Sequence, residues 1–303
     1  MKTAPYISVV ITGRNDDYGA DFPLRLNTFI RSLDYQVAKW PGVFELIVVE
    51  WNPLKDHEGI DAIIEPTKNL AVRVITAPAK LHDTFESSQS FLEFHGKNVG
   101  VRRARGEFVL VTNPDILFTQ SLIDNIASRR LRNDTFYRTD RFDFRGEGIE
   151  DIATEDLVDF ALSRTFVMHG VVDNQSISCE IANAPVDPAK LPKSRVDGTF
   201  PHTNACGDFL LASRENFYTV RGFYETVEHK WHVDSISLMR FWYAKIKQQV
   251  FVAPDCVFHF DHRRKDPDMS FQAIDWERIK TMKPSTSWGL HGHTLEEKRI
   301  EPR

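Results

Sequence analysis

The feature that most constrains the fold is an alternation of short apolar strands with helical segments over the first third of the chain. Segments rich in β-branched and aliphatic residues lie at 6–12, 44–49, 70–75 and 108–112, and helical patterns lie at 22–35 and 94–104. Strands that alternate with helices at this spacing favour parallel pairing. The pattern therefore predicts an α/β fold with a mainly parallel central sheet flanked by helices.

The composition is that of an ordinary globular protein. Of 303 residues, 42% are hydrophobic and 27% are charged, and the formal net charge of −5 gives no reason to expect a nucleic-acid partner. Three widely spaced cysteines, Cys179, Cys206 and Cys256, form neither a disulfide framework nor a zinc pattern. Because we find no signal-peptide pattern and no apolar run of about 20 residues, we expect reduced thiols, a cytoplasmic location and no transmembrane segment.

Polar residues, with one glycine among them, follow three of these strands at the point where each strand ends. They are Thr12, Gly13, Arg14 and Asn15 after the first, Glu50 after the second, and Asn113 and Asp115 after the fourth. Ligands of open α/β sheets bind outside the carboxyl ends of the strands. This edge therefore predicts a site that reads a base and ribose while a divalent cation neutralises a diphosphate. The alternative is a set of solvated loops, with a helix-capping turn at 113–115.

Two common classes of nucleotide-binding protein fit the sequence poorly. No G-x-G-x-x-G follows the first strand, and no Walker-type G-K-[ST] loop occurs. These glycine-rich loops are what cradle phosphates in dinucleotide oxidoreductases and P-loop enzymes. The sequence therefore argues against both classes.

Four segments of the chain resemble the inverting family 2 glycosyltransferases of the GT-A fold. Residues 6–15 are similar to the family's opening strand and nucleotide-binding turn, and residues 44–50 are similar to its second strand. Residues 96–115 resemble the helix and strand that lead into the Asp-x-Asp signature. Residues 206–234 resemble the acceptor half, with a glycine-phenylalanine turn followed by an acidic position.

The resemblance implies a GT-A fold in three parts. By it, 1–130 form the nucleotide-sugar-binding half, 131–265 form the acceptor-binding and catalytic-base half, and 266–303 pack back over the domain. It implies an enzyme that moves a sugar from a nucleoside-diphosphate sugar, expected to be a UDP-sugar, to a hydroxyl acceptor with inversion. The acceptor is expected to be a glycan, a lipid-linked compound or a small molecule, and the cofactor Mn²⁺ or Mg²⁺.

The resemblance also implies roles for individual residues. The nucleotide sugar is expected to contact Thr12, Gly13, Arg14, Asn15, Glu50, Lys97, Asn113 and Asp115. Asp234 matches the position of the catalytic base, although an acid at a helix start also has a capping role. Asp208 is the rival base and is preferred as an acceptor ligand, together with Trp231 and His232.

A metal ligand is expected from the late cluster at 257–264. Several GT-A enzymes recruit a late histidine to the metal held by the acidic signature. His259 is the candidate beside Asp115, with His262 as the alternative; a merely hydrogen-bonded histidine is the competing interpretation. Imidazole and carboxylate ligands together suit manganese.

Two departures from the family pattern leave other functions open. Asn113 replaces the first aspartate of Asp-x-Asp, which removes one charge and should weaken metal binding, and Val233 replaces the glutamate before Asp234. One alternative is a nucleotide-sugar-binding relative without turnover. Another is a sugar-phosphate nucleotidyltransferase, although only Gly13-Arg14 stand where its glycine-rich loop should be. Residues 172–204 are expected to form a long loop, either a lid or a surface excursion.

Overall fold

The computed structural model describes residues 4–16, 19–227, 232–262, 276–282 and 284–303. Within them the strands are β1 (Ile7–Gly13), β2 (Phe44–Trp51), β3 (Ala71–Ala77), β4 (Phe108–Val111), β5 (Ile116–Phe118), β6 (Thr135–Thr139), β7 (Arg141–Phe144), β8 (Thr165–Val172), β9 (Gln175–Glu180), β10 (Leu210–Ser213), β11 (Lys247–Phe251), β12 (Val257–Phe260) and β13 (Glu296–Ile300). The helices are α1 (Phe22–Gln36), α2 (Ile60–Ile63), α3 (Ala79–His82), α4 (Glu93–Arg103), α5 (Gln120–Ala127), α6 (Leu157–Ser163), α7 (Arg214–Val220), α8 (Val233–Tyr243) and α9 (Trp276–Thr281).

Most of the strands belong to one mixed sheet, in the order β11-β6-β10-β4-β1-β2-β3-β13. At its centre β4, β1, β2 and β3 run parallel, whereas β10 and β13 are antiparallel to their neighbours. Every residue of β1 is buried, as its β-branched sequence suggests for a strand covered on both faces. The structure confirms the predicted α/β fold with a mainly parallel central sheet.

Helices cover both faces of this sheet. Side chains that alternate along β1 point to opposite faces. Val9 and Ile11 pack in a core with α1 and α5. Val10 belongs to a second core, formed with α4, α7 and α8. The result is a three-layer arrangement in which the carboxyl ends of the parallel strands stay at one edge.

A second, smaller sheet continues from that edge, in the order β5-β12-β7-β8-β9. The chain passes from the large sheet to the small one between β4 and β5, through residues 112–115. Pro114 has no N–H to donate to a strand ladder, and β4 ends at Val111, three residues before it. The Phe260 N–H donates to the Asp115 carbonyl oxygen at 2.9 Å. The Asn113-Pro114-Asp115 segment is therefore one of the links between the two sheets.

The expectation of a long loop over 172–204 was wrong for its first part. Gln175–Glu180 form β9, which pairs antiparallel with β8. Asp173 and Asn174, both with positive φ, make the two-residue turn of this hairpin, and Asp and Asn tolerate that backbone conformation. Because β9 is an exposed edge strand, its residues show no apolar alternation that would identify it in the sequence.

The C-terminal segment packs onto the large sheet. β13 pairs antiparallel with β3 at the sheet edge, and Trp288 is buried in the core formed with α4, α7 and α8. Arg103 donates to the carbonyl oxygens of Gly289 at 2.8 Å and His293 at 2.9 Å. In the described part of the chain, no helix combines the length and apolar character needed to cross a bilayer.

Candidate functional site

A cleft of about 450 Å³ lies at the carboxyl ends of β1 and β4. Thr12 and Gly13 line it from β1, Arg14 lines it from the turn that follows, and Asn113 and Asp115 line it from the segment between β4 and β5. Its volume is in the range of small-molecule sites. Of the residues predicted to gather from the first and fourth strands, all but Asn15 therefore line one cleft.

One carboxylate and two imidazoles come together in this cleft. The Asp115 Oδ2 atom lies 3.2 Å from His262 Nε2 and 3.9 Å from His259 Nε2. One potential ligand atom from each of the three residues lies within 4.8 Å of the others. The sequence analysis proposed Asp115 and His259 as metal ligands, with His262 as the alternative histidine. The structure places both histidines beside the Asp115 carboxylate.

The chemistry of this cluster fits a divalent cation. Among the described residues, no donor satisfies the buried Oδ1 atom of Asp115. Burial disfavours the ionised carboxyl, but the charges of His259 and His262 outweigh it and lower the pKa of Asp115 to about 2. An ionised carboxylate with an unused oxygen beside two imidazoles suits a first-row ion such as Mn²⁺ better than Mg²⁺, which prefers oxygen ligands alone.

The carboxylate of Asp143, on β7, contacts the Nδ1 side of the His259 ring. Its Oδ1 atom lies 3.3 Å from His259 Nδ1, and its Oδ2 atom lies 3.0 Å from His169 Nε2. The Arg141 Nε atom lies 2.9 Å from the same carboxylate. Burial raises the pKa of Asp143, but the adjacent imidazoles of His169 and His259 and the charge of Arg141 lower it overall. A carboxylate behind an imidazole fixes the ring so that its other nitrogen faces the ligand.

Asn113 and Asp208 form a wall of the cleft. The Asn113 Nδ2 atom donates to Asp208 Oδ1 at 2.6 Å, and an Arg141 amino group donates to Asp208 Oδ2 at 2.6 Å. Burial raises the pKa of Asp208, but the Arg141 guanidinium lowers it overall. Both oxygens of Asp208 are thus occupied by contacts that shape the site.

The turn after β1 is held by neighbouring backbone and side chains. Thr12 donates through Oγ1 to the Val49 carbonyl oxygen at 2.9 Å. Arg14 donates to Asp16 Oδ2 and to the Ser90 carbonyl oxygen, at 2.7 Å and 2.8 Å. Asn15 donates to the Glu58 carbonyl oxygen at 3.0 Å and is not among the residues that line the cleft.

Glu50 and Lys97, two of the predicted nucleotide-binding residues, do not line the cleft. Glu50 is buried and accepts a hydrogen bond from the Ile60 N–H at 3.0 Å, and burial raises its pKa. Lys97 is fully buried and donates to Glu93 Oε1 at 2.6 Å and to the Gly207 carbonyl oxygen at 2.9 Å. Both side chains therefore hold parts of the fold together: Glu50 connects β2 to α2, and Lys97 connects α4 to the segment before β10.

Asp234 lies in the first turn of α8. Its Oδ2 atom accepts from the Gly207 N–H at 3.0 Å, and its Oδ1 atom accepts from the Ser235 N–H at 2.8 Å. Gly207 directly precedes Asp208, and Val233 lines the cleft, whereas Asp234 itself is not among the residues that line it. The N-cap residue of α8 is His232, with φ 59°. Trp231, the remaining predicted acceptor residue, lies outside the described residues.

Sequence reasoning missed Asp143 and Arg141 as parts of the site. The stretch that contains them, 140–145, alternates charged and aromatic residues. That alternation indicates a strand with one polar face, but it does not indicate which site the polar face lines. The pairing of β7 with β12, which places His259 opposite Asp143, supplies that information.

Comparison with known proteins identifies the fold. No protein-family model and no curated protein matches the sequence. GalNAc-T7, solved with UDP, GalNAc and Mn²⁺, is 14% identical with a TM-score of 0.50 over 86% of this chain and 45% of its own. Residues 1–349 of TarS from S. aureus are 13% identical with a TM-score of 0.48, over 84% of this chain and 60% of that one. The same TarS fragment in complex with UDP-GlcNAc is 14% identical with a TM-score of 0.49, over 88% of this chain and 61% of that one.

The chain spans about half to three fifths of the length of these solved structures. At such low identity the likeness concerns the fold alone. The chain adopts the GT-A fold of nucleotide-sugar glycosyltransferases, as the four sequence segments implied.

Proposed function

We propose that the protein is a metal-dependent, inverting glycosyltransferase that moves a sugar from a nucleoside-diphosphate sugar to a hydroxyl acceptor. The observation that carries the proposal is the buried, unsatisfied Oδ1 atom of Asp115 beside His259 and His262. The cluster lies at the carboxyl ends of parallel strands in a GT-A fold, where a diphosphate has to be neutralised.

The proposed nucleotide is UDP and the proposed cation is Mn²⁺. GalNAc-T7, which shares the fold, was solved with UDP, GalNAc and Mn²⁺, and the mixed carboxylate and imidazole donors agree with that ion. Asp115, His259 and His262 would hold it. When bound, the cation would stabilise the negative charge that develops on the departing diphosphate.

Transfer also requires the acceptor hydroxyl to lose its proton as it attacks the anomeric carbon. We assign the general base to Asp234. Asp208 is the poorer choice because the Arg141 guanidinium pairs with it and lowers its pKa, which makes it a weaker base, whereas the hydrogen bonds to Asp234 come from backbone N–H groups. The Gly207 and Ser235 N–H groups orient the Asp234 carboxylate. One base opposite the leaving group gives direct displacement, and hence inversion.

Asp234→Asn tests this assignment. The variant should bind UDP with Mn²⁺ as the wild type does, because its side chain keeps an acceptor for the Gly207 N–H. Transfer should fall by about 10²–10⁴-fold. The measurement is release of UDP from a panel of UDP-sugars in the presence of Mn²⁺ and candidate acceptors. The control is Asp56→Asn, which neutralises an exposed carboxylate.

Equal transfer rates in the two variants would remove Asp234 from the base role. If the wild type binds UDP but releases none from any donor under any metal, the protein is instead a nucleotide-sugar-binding relative without turnover. A ligand at 100 times its dissociation constant stabilises the fold by about 2.7 kcal/mol, so thermal unfolding identifies the donors worth assaying.

A further inference from the structure

A second cavity of about 730 Å³ lies beside the cleft. It is bounded by α8, the turn at 221–227 and the C-terminal segment at 282–293. His95 and Thr226 line both cavities. The second cavity therefore opens next to the proposed donor site, and the roles assigned above do not use it.

Arg240, on α8, lines this cavity; the charge of Glu225 acts on it, but no ion pair joins Arg240 to a described residue. Its side chain is buried, with the residue 7% exposed. In the described part of the chain, neither of its terminal amino groups has a hydrogen-bond acceptor. Burying a guanidinium without a partner is costly. A planar fork of donors that is left unused matches the geometry of a carboxylate or phosphate group.

The other charged groups around the cavity leave it positive. Arg221 also lines it and donates to the Pro284 carbonyl oxygen at 2.6 Å. Among the described residues, Glu225 supplies the carboxyl group of the lining, and its Oε1 atom accepts from Asn98 at 2.9 Å and from the Gly289 N–H at 2.8 Å. Burial raises the pKa of Glu225, and burial lowers the pKa of His95 to about 4, so His95 is neutral at pH 7.

We propose that this cavity binds an oxyanion, a phosphate or carboxylate group, through the guanidinium of Arg240. Phe85 and Trp288 give it an apolar wall beside the charge. Because His95 and Thr226 connect it to the donor cleft, the anion belongs to the hydroxyl acceptor. That last step rests on the proposed glycosyltransferase function, whereas the anion site itself does not.

Calorimetric titration of the metal-free protein with inorganic phosphate tests the site. Arg240→Gln should weaken phosphate binding at least tenfold. Arg132→Gln, which removes an exposed arginine, should leave phosphate binding unchanged.

Without phosphate, Arg240→Gln should unfold at or above the wild-type temperature, because the unpaired buried charge is gone. Equal phosphate binding in wild type and Arg240→Gln, or no binding in wild type, would overturn the proposal. So would a clear loss of thermal stability in Arg240→Gln, which would make Arg240 a structural counter-ion of Glu225.

Three sugars distinguish the source of the anion. Glucose 6-phosphate carries a phosphate, glucuronate carries a carboxylate, and glucose is the neutral control. If glucose 6-phosphate binds more tightly than glucuronate, the site prefers phosphate, and the reverse order indicates carboxylate. In either case the charged sugar should bind more tightly than glucose to the wild type but not to Arg240→Gln. Glucose binding as tightly as both would contradict an anion site.

UDP binding with Mn²⁺, measured on the same samples, separates this proposal from the proposed function. It should be equal in wild type and Arg240→Gln. Phosphate binding without any UDP binding would refute the glycosyltransferase proposal and the acceptor assignment, while leaving the anion site intact. UDP binding without Arg240-dependent phosphate binding would refute only the anion site.

Discussion

His259 lies between two carboxylates. As the pH rises and its imidazole loses a proton, the stability of the metal-free protein should fall and the affinity for Mn²⁺ should rise. Burial lowers the pKa of His259, but Asp115 and Asp143 outweigh burial and raise it. A folded-state pKa above the unfolded value of about 6.5 stabilises the fold fully below pH 6.5 or so, and this stabilisation is lost as the pH rises through the folded-state pKa. A cation needs the neutral imidazole, so Mn²⁺ affinity should rise over the same range.

Thermal unfolding between pH 5.5 and 8.5, with and without Mn²⁺, measures both trends. The metal-free wild type should lose stability with rising pH relative to His259→Gln, and the stabilisation by Mn²⁺ should grow. His57→Gln, at an exposed histidine, should follow the wild type. Parallel profiles for wild type and His259→Gln would show that the imidazole does not titrate as described.

Asn113 stands where the family pattern has aspartate, and its contact with Asp208 gives a reason. An aspartate there would place two carboxylates at the 2.6 Å separation now spanned by a hydrogen bond. Asn113→Asp should therefore destabilise the fold by about 1–3 kcal/mol at pH 8, and less at pH 5, where one carboxyl can hold a proton. Urea unfolding measures the difference. The Asp208→Asn background should remove most of the penalty, and an unchanged stability at pH 8 would contradict the account.

At the residue scale, the sequence predicted which polar side chains meet beside Asp115 better than it predicted the contacts that support them. Asp115 and His259 could be found because one follows a strand end and the other lies in a late polar cluster. Glu50 and Lys97 are also charged, but their partners lie inside the fold: the Ile60 N–H for Glu50, and Glu93 and the Gly207 carbonyl oxygen for Lys97. Only the distant pairing of chain segments decides which polar side chains face the cleft.

Two glycines set the distance between helix α4 and the sheet. A Cβ atom at Gly100 would overlap the Val10 side chain and come within 3.2 Å of Val49 Cγ2, and one at Gly96 would overlap Thr12. Gly100→Ala should therefore cost about 1–3 kcal/mol by overpacking. Urea unfolding measures the loss of stability. In a Val10→Ala background Gly100→Ala should destabilise the fold less, and the destabilisation that remains should come from the contact with Val49. Simple additivity of the two changes would contradict direct contact.

At the element scale, the buried strands and long helices of the first half were predictable because their apolar periodicity is strong. The helix predicted at 22–35 is observed as Phe22–Gln36, and the strand predicted at 44–49 is observed as Phe44–Trp51. β9 was not predictable in the same way. Its residues are mostly exposed, so burial leaves no pattern in them, and the Asp173-Asn174 turn was the one available signal.

At the scale of the whole molecule, the site exists because the chain links two sheets. Residues 112–115 leave the large sheet, and β12 of the small sheet places His259 opposite Ile116. The parallel half of the large sheet follows from the alternation of strands and helices in the sequence. The small sheet does not, since β12 pairs with β5 and β7, whose residues lie more than a hundred positions earlier in the chain. The resemblance supplied the GT-A architecture that periodicity alone could not.

The central claim is that Asp115 holds a cation which in turn holds a nucleoside diphosphate. Calorimetric titration of UDP, with and without Mn²⁺, into wild type and Asp115→Asn tests it most directly, with Asp56→Asn as control. We expect Mn²⁺ to tighten UDP binding at least tenfold in wild type and control, and to have no effect in Asp115→Asn. UDP binding that ignores Mn²⁺ in the wild type, or an equal gain in Asp115→Asn, would contradict the claim.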